Sequence, residues 1–439
     1  MTKKFVNKYS IVGFGNAGYN AARAIRQNDP EAKICVYSDN DQVPSNPMLT
    51  TYYLKDSLDY QGMFPYGALE RIITDLDLSF EVNKKVVQVF PEKKELLFED
   101  GLIEPYHKLL IATGASAFVP NTQGMNLSGV FSIRTPGDAV ALKDFLQKGR
   151  VRSMVVVGAS MVGIKIVELA CLMGISCTLL DGAAMMFPLA AFSNVSKLIE
   201  KELIKRGVEL AFMATLSKVL PTDTDEQAEK IGNLAAVTSD GRMFYADAVV
   251  ICIGTRANIS LVKNSKIEHN RGILVNRKMQ TNFPDVFAAG DCCEGYEMQF
   301  KKQRLIGLWA NAGYQGRAAG MNMTENHTEF DYTIAHNITR FLEIDFISFG
   351  DVTSSHPNDI VYEYNGENLY LKATKTETGR ITCINMIGGA TVSGIIKSIY
   401  MKLMTEAGFC IDDLTKGVLL SSGIPACFID FLGGLENVN

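Results

Sequence analysis

A strand–glycine turn–helix–strand unit occurs twice in this 439-residue chain, and the repetition limits the fold more than any other feature. The first copy reads "YSIV", Gly13-Phe-Gly15-Asn16-Ala17-Gly18, the helix-period run "AGYNAARAIRQ" and the strand "KICVYS", ending at Asp39. The order returns as "SMVVV", Gly158-Ala-Ser160-Met161-Val-Gly163, "GIKIVELACLMG" and "SCTLL", ending at Asp181. Two strands joined through a helix pair in parallel, with a right-handed crossover. Past residue 330 the character changes. "ITRFLEIDFISFGDVT", "DIVYEYNGENLYLKATKT" and "RITCINMIGG" read as antiparallel strands with polar turns, followed by the helical run "SGIIKSIYMKLMTEAG". The predicted fold class is α/β, two Rossmann-like three-layer dinucleotide-binding domains plus a C-terminal α+β domain.

Each glycine turn implies a phosphate site. The glycines permit a tight turn, close approach of backbone to a pyrophosphate, and packing of helix against strand. The helix start then presents unpaired N–H groups and a positive dipole end. Ser38 or Asp39 falls where an adenosine ribose is usually held. In the second copy Ser160 replaces the middle glycine, and its hydroxyl is expected to donate to a phosphate oxygen. The Asp181 carboxylate suits a free 2′-hydroxyl and repels a 2′-phosphate. No arginine follows it in "DGAAMM", so NADH is expected over NADPH.

Other features exclude function classes. A net charge of −5 favours neither nucleic acid nor an anionic membrane surface. The apolar window from Met154 to Leu180 contains Lys165 and Glu168 and changes periodicity, so it is not a membrane span. The N-terminus lacks the apolar core of a signal peptide. The nine cysteines show no disulfide or zinc spacing, and a reducing cytoplasm is the expected location. Histidines 107, 269, 327, 336 and 356 are scattered, so no metal site is expected. In "VFAAGDCCE" the adjacent Cys292 and Cys293 follow Asp291, but side chains of neighbouring residues diverge and bridge only under strain. They are expected to be neighbours of the site and not its reacting groups.

With "YHKLLIATGA", "VVICIGTRAN", "TNFPDVFAAGD" and "WANAGYQGRAAGMNM" in order, the chain resembles the FAD-dependent pyridine nucleotide-disulfide oxidoreductases. It looks most like the nitrite reductase flavin domain, rubredoxin and ferredoxin reductases and NADH oxidases. The resemblance implies a discontinuous FAD-binding domain (1–117 and 247–330), an NAD-binding domain (118–246) and a dimerisation-like C-terminal domain (331–439). It assigns to FAD the residues Gly13, Gly15, Asn16, Ala17, Gly18, Ser38, Asp39, Pro47, Val87, Ala112, Thr113, Gly114, Gly290, Asp291 and Trp309, with Asp291 on the ribityl chain. To NAD it assigns Gly158, Ser160, Met161, Gly163, Asp181 and Gly254.

Two departures carry information. Thiol-using relatives resemble "SCG" near the flavin, whereas this chain has Ser45-Asn46-Pro47, with Asn46 where arginine is usual in the rubredoxin reductase pattern. Lys165 stands where glutamate commonly faces the nicotinamide, as a charge reversal beside the hydride path or an exposed helix lysine. No other catalytic residue is expected, because flavin and nicotinamide carry the chemistry. The expected function is hydride transfer from NADH to FAD, then electron delivery to a redox protein carrier or small acceptor. The basic run Phe300–Arg304 could steer an acidic, rubredoxin- or ferredoxin-like carrier. Alternatives are a thiol-independent NADH oxidase, or a non-turnover flavoprotein subunit of a larger redox complex. A homodimer or such a complex is the expected assembly.

Overall fold

The computed structural model describes residues 8–149, 151–222, 232–330, 334–354, 356–406 and 408–433. The chain divides into two compact units. One contains the described residues up to Phe118, Ile133–Lys143 and those from Thr255 to Phe330; the other contains Val119–Ser132, Asp144–Gly254 and those from Ile334 onward.

The first unit is built on a five-stranded parallel sheet. Its order is Val286–Ala288, Lys108–Ile111, Lys8–Val12, Lys33–Tyr37 and Leu78–Glu81. Ile11 on the central strand pairs with Val36 on one side and Leu110 on the other, and all three are fully buried. Such strands are covered on both faces, which is why they read as unbroken apolar runs instead of alternating ones. Helix Asn16–Asn28 buries Ala17, Ala21, Ala24 and Ile25. Helix Trp309–Met323 packs on that small-residue face. A Cβ on Gly316 would lie 2.1 Å from the Ala17 carbonyl oxygen, and one on Gly320 would lie 2.5 Å from that of Ala21. Absent side chains thus let the helices touch backbone to backbone. This contact places the start of the 309–323 helix beside the first glycine turn.

The second unit repeats the plan. Its parallel sheet runs Glu209–Ala211, Ser176–Leu180, Ser153–Val157, Ala248–Ile251 and Val130–Ser132, so the strand that feeds each glycine turn is central in both sheets. The same unit holds a five-stranded antiparallel sheet in the order His336–Phe341, Ile344–Gly350, Ile381–Ile387, Tyr370–Lys375 and Ile360–Asn365. Helices Ser393–Thr405, Asp413–Ser421 and Ala426–Gly433 follow it. The α/β expectation and the antiparallel character past residue 330 both hold. The contact division puts Ile133–Lys143 with the first unit, although the sequence reading placed it in the NAD domain. The boundary expected at 330/331 adjoins residues 331–333, which lie outside the described residues. Among the described residues no helix is long and apolar enough to cross a membrane.

Candidate cofactor and active site

A cleft of about 290 Å³ opens at the carboxyl ends of the first sheet's strands. Every residue expected to hold FAD lines it except Gly18 and Val87. Gly18 stands behind the turn, where a Cβ would fall 2.3 Å from the Gly13 carbonyl oxygen; its task is packing. Val87 occupies a bulge in the Val86–Phe90 strand, away from the cleft lining. A Cβ on Gly15, by contrast, would meet nothing within 4 Å. The N–H groups of Gly15, Asn16 and Ala17 have no acceptor among the described residues. Free donors, open space and a positive helix end together fit a pyrophosphate. Across the cleft, Gly307, Trp309 and Ala312 bring the start of the 309–323 helix to the lining.

Asp291 faces an unexpected partner. Arg134 donates from a guanidinium nitrogen to Asp291 Oδ2 at 2.6 Å, and from Nε to the Ala115 carbonyl at 3.1 Å. The other carboxylate oxygen, Oδ1, has no hydrogen-bond partner among the described residues, so it is available to a ribityl hydroxyl. Sequence reasoning missed Arg134. It is held just before a capped helix: Asp138 accepts from the backbone N–H of Arg134 and of Thr135, while Thr135 Oγ1 accepts from the N–H of Asp138. This reciprocal Thr–Asp capping box, with Pro136 at the first helical position, is legible in "RTPGDA" and could have flagged the arginine.

The paired cysteines are turned away from the chemistry. Cys292 Sγ donates to the carbonyls of Ile111 and Ala289, and Cys293 Sγ to that of Gly290. Both thiols are free, buried and absent from the cleft lining. Burial pushes both up from the usual thiol range, the opposite of what an attacking thiolate needs. At the other wall Ser45, Asn46 and Pro47 line the cleft. Asn46 Oδ1 accepts from the Met48 N–H at 3.1 Å, which fixes the turn into helix Leu49–Leu54.

The second glycine turn differs in a way the sequence did not reveal. Ser160 was expected to offer its hydroxyl to a phosphate. Instead Oγ donates to the Cys252 carbonyl at 2.8 Å and accepts from the Gly163 N–H at 3.1 Å. The side chain therefore caps its own helix, and the N–H groups of Ser160, Met161 and Val162 remain without acceptors among the described residues. A Cβ on Gly163 would lie 1.9 Å from the Gly158 carbonyl oxygen, so the third glycine is sterically required. Asp181 accepts from the N–H groups of Ala159 and Ala183, each at 2.6 Å, which ties the end of its strand to the glycine turn. Gly254 lies exposed just beyond the Ala248–Ile251 strand. These donors fit a dinucleotide pyrophosphate.

Lys165 is not an exposed helix lysine. It is 1% exposed, and its ammonium donates to the Arg340 carbonyl, with Glu168 3.9 Å away. Glu168 Oε1 in turn accepts from the Leu342 N–H at 2.9 Å. The pair straps the Gly163–Leu172 helix to the end of the His336–Phe341 strand. A buried ammonium needs such partners, so Lys165 ties helix to strand and is not the exposed helix lysine of the second expectation.

Two glycine turns of one design, each at the carboxyl end of a parallel sheet, define a two-dinucleotide oxidoreductase. The chain belongs to the pyridine nucleotide-disulphide oxidoreductase family, whose model matches residues 7–316. It is an NAD(P)H-dependent flavin oxidoreductase with FAD and NAD(H) as cofactors. It is 24% identical to a NADH oxidase of Methanocaldococcus jannaschii, over 91% of this chain and 93% of that one. It is 27% identical to a rubredoxin-NAD(+) reductase of Acinetobacter baylyi, over 65% of this chain and 71% of the relative. Among solved structures, the water-forming NADH oxidase from Lactobacillus brevis bound to NADH has a similar fold, with a TM-score of 0.83 at 22% identity. That match covers 95% of this chain and 99% of the other.

Proposed function

We propose that this chain takes hydride from NADH onto FAD held in the Gly13–Asp291 cleft, and passes the electrons to a redox protein carrier or small acceptor without a protein thiol. The observation that carries the reading is the cleft wall. Ser45, Asn46 and Pro47 stand where a thiol enzyme would place its cysteine, and no cysteine lines the cleft. When bound, FAD supplies the two-electron acceptor for hydride. The chain's own residues bind and orient. The free N–H groups of Gly15–Ala17 and Ser160–Val162 would take the two pyrophosphates, Asp291 Oδ1 a ribityl hydroxyl, and Asp181 the adenosine ribose of NADH. The remaining FAD assignments, including Ser38, Asp39, Thr113 and Trp309, stand in the same proposal.

Relatives named for rubredoxin reduction, and the solved covalent putidaredoxin reductase–putidaredoxin complex (TM-score 0.80 at 20% identity), support a carrier protein as acceptor. Exposed Lys301 and Lys302 offer a cationic rim to an acidic one. A cytoplasmic homodimer with separate FAD, NAD and C-terminal domains completes the proposal. The second reading, direct use of oxygen, is favoured by the NADH oxidase relatives. The test is NADH turnover with rubredoxin, ferredoxin and oxygen in parallel, before and after alkylation of accessible thiols. Turnover with a carrier that survives alkylation is expected. Loss of turnover on alkylation, or activity with none of the three, would sink the proposal.

A further inference from the structure

A column of stacked aromatic rings leads out of the cofactor cleft. Trp309 lines the cleft, and its ring lies 5.9 Å from that of Tyr66 with the planes 21° apart. Tyr66 stacks in turn on Tyr19 at 3.9 Å and 24°. The column is held from one side by the glycine-turn residue Asn16. Its Nδ2 donates to the Trp309 carbonyl, and its Oδ1 accepts from the Tyr66 hydroxyl at 2.6 Å. The indole Nε1 is buried without a hydrogen-bond partner among the described residues, so nothing but packing holds the ring's outer edge.

The far end of the column opens on a second groove, of about 470 Å³, whose lining includes Tyr19, Tyr66, Arg23, Arg71 and Asp75. Arg71 pairs with Asp75 at 3.4 Å, whereas exposed Arg23 has no ion-pair partner among the described residues. The groove thus presents an uncompensated guanidinium beside a stacked tyrosine, a setting for an anion. Electron tunnelling decays less steeply through contiguous π systems than through saturated side chains. Tyr66 donates to a neutral amide that cannot take its proton outright, a setting that suits a bridge better than a radical store.

We propose that the Trp309–Tyr66–Tyr19 column is an exit route by which electrons pass singly from reduced FAD to an anionic one-electron acceptor seated in the Arg23 groove. The inference rests on the reading that FAD is this chain's electron store. With ferricyanide as the probe the balance is one NADH oxidised to NAD⁺ and one proton released, while two ferricyanides become two ferrocyanides.

The test uses holoprotein reduced anaerobically with dithionite, freed of excess reductant and mixed rapidly with ferricyanide. Tyr66→Leu is expected to lose most of the reoxidation rate, and Tyr66→Phe, which keeps the ring, to retain it. Arg23→Glu, a surface change that spares the fold, should slow the reaction about tenfold at low salt, with the difference vanishing at high salt. Reoxidation by neutral oxygen should be unchanged in all three. Parent-like ferricyanide rates in Tyr66→Leu and Arg23→Glu would overturn the proposal, as would a parallel fall with oxygen. Because dithionite supplies the electrons, these outcomes are distinct from a failure of NADH to reduce the flavin.

Discussion

Replacing Asp291 with asparagine tests the FAD cleft at its most specific point. The change keeps shape and removes charge. In the parent, Oδ2 is held by Arg134 at 2.6 Å, and the proposal gives Oδ1 to the cofactor. The two side chains are 12% and 23% exposed, so solvent screens the pair only in part. A hydrogen bond to a charged acceptor contributes about 1.5–3 kcal/mol, against about 0.5–1.5 for a neutral one. The amide should therefore cost roughly 1–2 kcal/mol of FAD binding, a fall in affinity of about five- to thirtyfold at 1.4 kcal/mol per decade. The assay is FAD titration of the apoprotein followed by flavin fluorescence, with urea unfolding of both apoproteins as a control for fold. Arg134→Met should also weaken FAD binding, because the carboxylate loses the contact that orients it. Equal FAD affinity in Asp291→Asn and parent would refute the assignment of this carboxylate to the cofactor.

Three further outcomes are expected. Gly316→Ala pushes a methyl to within 2.1 Å of the Ala17 carbonyl and should lower stability by about 1–3 kcal/mol, read as the urea midpoint; a neutral result would mean the helix pair is not close-packed. Serine at both 292 and 293 should leave NADH-driven flavin reduction intact, since neither thiol lines the cleft, and a collapse of that rate would relocate the chemistry. His336, half-buried and beside the Lys397 ammonium, is pushed down to about 4. Its unfolded value is near 6.5, so the unfolded chain binds the extra proton first as pH falls. The contribution is fully present above about pH 6.5 and is lost towards pH 4, to a limit of about 3 kcal/mol. His336→Gln should flatten that part of the stability–pH curve, and an unchanged slope would exclude this histidine as its source.

Local patterns carried most of the fold. The strands "YSIV" and "SMVVV" and their glycine turns are legible because hydrophobic period and glycine spacing act within a few residues, and the structure makes both strands central. What escaped depends on distant chain. Arg134 meets Asp291 from 157 positions away, and nothing in its neighbourhood but the capping box hints at a fixed side chain. Lys165 reads as a helix-face lysine until Arg340, 175 positions on, supplies the carbonyl that buries it. The Ser160 hydroxyl reads as a phosphate donor until the Cys252 carbonyl comes within 2.8 Å. In each case residue type was visible and direction was not, because a side chain turns towards the nearest unsatisfied partner, and that partner is set by tertiary structure.

The proposed reaction moves hydride from NADH to FAD with no thiol intermediate. Anaerobic rapid mixing of the holoprotein with NADH, in a parallel arm with NADPH, tests it most directly through the flavin absorbance. Full bleaching by one equivalent of NADH is expected, with NADPH slower, because in the proposed assignment the Asp181 carboxylate faces the adenosine ribose and repels a 2′-phosphate. Flavin absorbance that stays unchanged in excess NADH would contradict the account.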